Sequence, residues 1–174
     1  GTQAVLAILK AHIFNRQIWP DFTRVPSAEN AFMRYQPLEL LQPVQLGGRS
    51  FTALPVDHTI PAVAYRLDSG AGSLVFSGDT GPCDAFWASV NKIDNLRHVI
   101  IECAFPDREA PLAVLSKHLC PSMLALELRK LERPCDIHIT HLKPGQMDLT
   151  MAEIENRLGE FKPQMLRNNQ VIEF

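Results

Sequence analysis

Short β-type runs separated by turn residues fill the middle of the chain and then give way to alternating strand and helix patterns. That change of texture sets what the chain can fold into. Residues 33–38, 50–56, 62–67 and 73–76 are short runs bounded by Gly, Pro, Asp and Ser, the pattern of strands joined as hairpins. Gly47-Gly48 and Asp68-Ser69-Gly70-Ala71-Gly72 supply hairpin connections. From Asp79 onward the pattern predicts a helix over 85–90, a buried strand over 99–103 and a helix over 122–131 with Met123, Leu124, Leu126, Leu128 and Leu131 mostly inward. A buried strand over 137–140, a helix over 150–161 and a final strand over 171–174 complete it. Hairpins followed by strand, helix, strand and helix predict an α/β layered sandwich. Ahead of them, Val5, Leu6, Leu9 and Ile13 recur at helical spacing within residues 2–14, and 15–31 read as a long surface loop anchored by Ile18, Trp19 and Phe22.

A chain of 174 residues, 46% hydrophobic and 21% charged, is long enough for one globular domain with a buried core. Seventeen Lys and Arg against nineteen Asp and Glu give a formal charge of −2. No basic block is present to grip a phosphate backbone, which argues against nucleic acid as a partner. No apolar run reaches the roughly 18 residues of a membrane helix, and the first residues lack the charged region of a signal peptide. Cys83, Cys103, Cys120 and Cys135 are widely spaced without a CxxC. They read as free thiols, in keeping with a cytoplasmic location.

The polar residues fall in informative places. Asp57-His58, Gly78-Asp79-Thr80 and Thr140-His141 each stand just past the C-terminal end of an expected strand, where loops at one rim can converge. Two imidazoles and a carboxylate suit zinc, manganese or iron, and an aspartate can bridge two ions. His118, in Ser116-Lys117-His118-Leu119-Cys120-Pro121, is either a cap on the following helix or a general acid. Glu102 sits inside the apolar run 99–103 and is costly to bury alone, so it calls for a partner such as an imidazole.

These stretches, in order, are VDH at 56–58 with AYRL at 64–67, FSGDTG at 76–81, IECAFP at 101–106, SKHLCPS at 116–122 and THLKPG at 140–145. The set resembles the second half of a metallo-β-lactamase-fold hydrolase. HIFNRQIWPDF at 12–22 makes it most similar to class II 3′,5′-cyclic-nucleotide phosphodiesterases, with ribonucleases Z as near relatives. The short hairpin between His58 and Asp79, where ribonucleases Z carry a large insertion, favours the former. The superfamily's HxHxDH motif is absent from these residues. Residues 1–174 are therefore expected to form one segment, the C-terminal part of an αββα sandwich whose N-terminal portion precedes Gly1.

The resemblance implies two divalent metal ions, most simply zinc and alternatively manganese, with His58 on the first, Asp79 bridging both and His141 on the second. It implies hydrolysis of cyclic AMP or cyclic GMP to the 5′-monophosphate by a metal-bridged hydroxide in the full-length protein. His118, oriented by Glu102, would protonate the leaving 3′ oxygen or bind the phosphate. The alternatives are a ribonuclease Z-like or other phosphoesterase of the same fold, and an inactive binding or assembly module. The segment alone is expected to be inactive, and to be marginally soluble unless a homodimer or swapped elements cover its open apolar face. His12 is expected at a pocket rim. His98 and His138 are expected to be structural, and Asp136, His138 and His141 are not expected to form a metal site, because residues 138 and 141 point to opposite faces of a strand.

Overall fold

Thr2 opens the first helix by accepting the Val5 N–H on its hydroxyl in the computed structural model, which describes residues 1–174 as two compact units, Gly1–Gln42 and Pro43–Phe174. In the first unit, helix α1 (Gln3–Ile8) runs on into a π-helical turn, Leu9–Ile13, that carries Lys10 and His12. The remainder is irregular and holds itself by local polar bonds. The Asn15 Oδ1 accepts the N–H of Gln17 and Ile18, and the Asp21 Oδ1 accepts the Thr23 N–H. Ile18 and Trp19 are exposed, so the aromatic anchor is the edge-to-face pair of Phe14 and Phe22, with ring centroids 5.9 Å apart. The expected strand over 33–38 does not form. Residues 33–36 do alternate between half-buried and exposed. However, the Met33 and Leu38 N–H groups go to Phe22 and Gly1 carbonyls, and a strand without a neighbour has no ladder to join.

The second unit is a seven-stranded sheet in which sequence order and spatial order coincide. Strands β1 (Pro43–Leu46), β2 (Arg49–Leu54), β3 (Ala64–Asp68) and β4 (Ser73–Phe76) form an antiparallel meander. Gly47 and Gly48 join β1 to β2 with φ of 58° and 77°, the left-handed pair that a two-residue hairpin turn demands. β1 was not legible in the sequence, because its four residues are mostly exposed and begin with proline. Strands β5 (Leu96–Glu102), β6 (Asp136–Thr140) and β7 (Gln164–Met165) add in parallel to β4.

Parallel strands need crossovers, and helices supply them. α2 (Asp84–Val90) links β4 to β5, α3 (Ala110–Ser116) and α4 (Pro121–Leu128) link β5 to β6, and α5 (Met147–Leu158) links β6 to β7. α3 was not anticipated either: Leu112, Val114 and Leu115 are exposed, so no apolar stripe marks it. The terminal strand expected over 171–174 is absent, and β7 takes the sheet edge instead. The core is made by Val75, Val99, Ile101, Ile137 and Ile139 from the sheet against Phe86, Trp87, Leu124, Leu128, Ile154 and Leu158 from the helices. Two successive antiparallel pairings make β2 parallel to β4, so β2, β4, β5 and β6 all end at one edge of the sheet. No helix is long and apolar enough to cross a membrane.

Candidate active site

That shared edge gathers the polar residues of five chain segments. His58 follows β2, Asp79 follows β4, Glu102 closes β5, His118 lies between α3 and α4, and His141 follows β6. Ligand atoms of His58, Asp79 and His118 all lie within 4.8 Å of one another. His141 joins through Asp79, with Nε2 3.7 Å from Oδ1. The His118 ring stands 5.0 Å from both the His58 and His141 rings. The tightest trio thus contains His118 rather than His141.

Each imidazole is oriented by a different device. The His58 Nδ1–H donates to the Lys117 carbonyl at 3.1 Å. Lys117 ends α3 in the left-handed region, with φ 54° and ψ 54°, which turns that carbonyl toward the sheet edge. The Lys117 ammonium pairs with Asp57 at 2.6 Å, and the Asp57 carbonyl accepts the Gly81 N–H. A Cβ on Gly81 would stand 3.4 Å from the Lys117 backbone, at ordinary van der Waals distance, so the 57–58, 79–81 and 117–118 segments pack closely against one another here. His141 is itself left-handed, with φ 64°. Its Nε2 accepts from the Lys143 ammonium at 3.3 Å.

Glu102 is fully buried, and its Oε1 meets the His118 Nδ1 at 2.6 Å. The same carboxylate accepts N–H groups of Thr80, Ala104 and Leu119, so it ties three loops to one point. Burial pushes the Glu102 carboxyl up to about 7, against the pull of the Thr80 and Leu119 N–H groups. Burial also holds the His118 imidazole below the usual histidine range. The helix-cap reading of His118 is excluded, because α4 starts at Pro121 and the Ser122 N–H is taken by Asp107 at 2.7 Å.

The donor set fits divalent metal ions. A carbonyl on His58 Nδ1 and a carboxylate on His118 Nδ1 fix the ring proton there and leave Nε2 proton-free. An ammonium can only donate, so Nε2 of His141 is proton-free as well. Three such nitrogens and the half-exposed Asp79 carboxylate give borderline-soft and hard donors at one rim, a set suited to zinc or manganese.

Other histidines stand elsewhere. His12 belongs to the first unit. His98 and His138 lie within β5 and β6, with ring nitrogens 3.2 Å apart and His98 bonded to the Glu173 carbonyl. His138 is buried while His141 lies at the rim, so Asp136, His138 and His141 do not meet. Lys117 and Lys143 fall within the SKHLCPS and THLKPG stretches, but sequence reasoning gave neither a role. The one local sign of Lys117 was its place between a helix end and His118. Lys143 was marked only by its place in the THLKPG stretch, two residues after His141.

No protein-family model matches the chain. A Yersinia pestis protein named "Probable 3′,5′-cyclic-nucleotide phosphodiesterase" is 26% identical over 164 residues, covering 79% of this chain and 47% of that protein. Among solved structures, unliganded yeast PDE1 superposes with a TM-score of 0.76 at 20% identity, over 93% of this chain and 55% of that one. The metallo-β-lactamase fold protein YhfI of Bacillus subtilis gives a TM-score of 0.62 at 20% identity, over 76% of this chain and 50% of that one. The chain spans about half the length of the relatives it matches.

Proposed function

We propose that this chain, which has the metallo-β-lactamase fold over the part it spans, carries the second half of a phosphodiesterase centre that hydrolyses 3′,5′-cyclic nucleotides to 5′-monophosphates. On this reading residues 1–174 are the C-terminal part of one larger domain. The observation that carries it is the convergence of three imidazoles with proton-free Nε2 atoms, Asp79 and a buried Glu102–His118 pair on one sheet edge. The likeness to the Yersinia pestis protein supports the choice of substrate.

His58, Asp79 and His141 would hold two divalent ions, zinc or manganese, which when bound supply Lewis acidity and an activated water for attack on phosphorus. His118 acts beside them. When protonated, with Nδ1–H held by Glu102, it would present an Nε2 proton to the departing 3′ oxygen or to the phosphate, a charge state that burial of the pair opposes and that the arriving anion favours. The buried carboxylate keeps the ring from rotating and offsets the charge it gains. The reading includes a cytoplasmic location, supported by four free thiols, and, for the segment by itself, a homodimer over the open face of the half-sandwich.

The test is hydrolysis of cyclic AMP and cyclic GMP by the full-length protein loaded with zinc or manganese, beside cleavage of a precursor tRNA. Turnover of a cyclic nucleotide that is lost in His118→Ala supports the reading. Cleavage of the tRNA without turnover of either cyclic nucleotide replaces it with a ribonuclease Z-like activity. Inertness toward all three with metal bound leaves a binding module.

A further inference from the structure

The lysines of the second unit divide by what their ammonium groups meet, and Lys92 and Lys162 are exposed to solvent. Lys117 pairs with Asp57, and Lys130 pairs with Asp84 and Glu127. Lys143 is half-buried with no carboxylate within ion-pair distance. Its Nζ instead touches the His141 imidazole and lies 5.3 Å above the centre of the Phe105 ring. The Gln146 N–H closes a turn on the Lys143 carbonyl, which sets where the side chain starts. Phe105 is placed as firmly: its N–H and that of Ala104 reach the Leu119 carbonyl, and its ring meets the edge of His118 with centroids 5.8 Å apart. A partly desolvated ammonium without a counter-ion is unfavourable unless an anion completes it. This one stands at the rim where His118 and His141 face each other, with a flat apolar ring beside it.

We propose that Lys143 anchors the phosphate anion of the substrate and that Phe105 is the wall against which its nucleoside packs. The assignment rests on the phosphodiesterase reading above and adds the two residues that set its ligand class: an anionic phosphate ester bearing a planar group. Lys143 provides a point charge rather than a planar fork, so it follows a phosphate oxygen without dictating ester orientation. Phe105 adds stacking and area burial for the base or ribose. The contact of Lys143 with the His141 Nε2 is the one it makes in the unliganded protein.

The experiment is calorimetric titration of full-length, metal-loaded protein with inorganic phosphate and with 5′-AMP, in the wild type and in Lys143→Met, Lys143→Arg and Phe105→Leu. Circular dichroism and metal content confirm that each variant is folded and loaded. Lys143→Met is expected to weaken both ligands about tenfold, with Lys143→Arg recovering most of that loss and the wild type losing affinity as salt rises. Phe105→Leu is expected to weaken 5′-AMP severalfold and to leave inorganic phosphate unchanged. In steady-state assays Lys143→Met raises KM for the cyclic nucleotide more than it lowers kcat. Wild-type affinity for phosphate in Lys143→Met overturns the Lys143 assignment while cyclic-nucleotide turnover still stands. Equal loss of phosphate and 5′-AMP affinity in Phe105→Leu overturns the assignment of Phe105. A wild-type protein that binds neither ligand and turns over no phosphodiester overturns the functional reading itself, and this inference with it.

Discussion

The Glu102 Oε1 and the His118 Nδ1 are 2.6 Å apart, and the carboxylate is fully buried while the imidazole faces the rim. Glu102→Gln keeps the shape but presents an amide to three backbone N–H donors and a ring N–H. We expect a stability loss of about 1–3 kcal/mol and a fall in kcat of the full-length enzyme of about 10²–10⁴-fold. His118→Asn is expected to cost as much in kcat, and the double variant no more than either single one, because the two residues act as a unit. Additive losses would show that Glu102 is merely a structural tie.

Lys117 holds His58 through a carbonyl that only its left-handed backbone can aim. Lys117→Val puts a β-branched residue in that region, at a cost of roughly 1–2 kcal/mol, and loosens His58. Lys117→Gly is tolerated there and removes only a surface ion pair. Zinc titration should therefore show weaker binding in the valine variant and near wild-type binding in the glycine variant. If both variants bind zinc equally, the carbonyl is not what positions His58.

Asp79 is the one carboxylate ligand among the imidazoles, which stand close enough to repel one another once metal or protons charge them. Asp79→Ala in the full-length protein is expected to lower zinc affinity by more than the roughly 10–100-fold that loss of an orienting partner costs. Elemental analysis after dialysis reads this directly. Full retention of metal would remove Asp79 from the ligand set.

Asp107 joins two helices: it accepts the Ser122 N–H at the start of α4 and pairs with Arg157 of α5 at 2.6 Å. Burial alone would raise its carboxyl, but the Ser122 and Arg157 bonds outweigh that and hold it below the usual carboxylate range. A depressed folded-state value means that the contribution is complete above the ordinary aspartate value, about 3.9, and is lost as pH falls through the lower folded one. Asp107→Asn should thus be less stable than wild type near neutrality by about 1 kcal/mol, with the difference shrinking in acid below about pH 4. Thermal midpoints across an acid series test the sign. A gap that widens in acid would refute it.

Much of the second unit was legible because its signals are local. Alternation and turn residues mark β2, β3 and β4, and apolar runs mark β5 and β6, whose neighbours bury both faces. Residues 33–38 show where such signals fail: 33–36 alternate like a strand, yet the Met33 and Leu38 N–H groups are spent on the Phe22 and Gly1 carbonyls. Glu102 was readable as a buried carboxylate in need of a partner, since an acid in an apolar strand violates composition at that spot. The Lys117 carbonyl was not readable, because a backbone oxygen has no sequence identity and its aim depends on a single φ.

By itself, then, the sequence determined β2 to β6 and the helices α2, α4 and α5 of the second unit, and that Asp57-His58, Asp79 and His141 stand just past strand ends, since periodicity and turn chemistry act between near neighbours. Only the tertiary structure decided that β2, through two antiparallel pairings, runs alongside β4, β5 and β6 so that those ends meet. It also decided that Glu102 meets His118, that Lys117 holds His58 from 59 positions away, and that Lys143 is left without a carboxylate beside Phe105. Those contacts close long loops. They are fixed by how the whole sheet and its crossovers pack, which no window of residues contains.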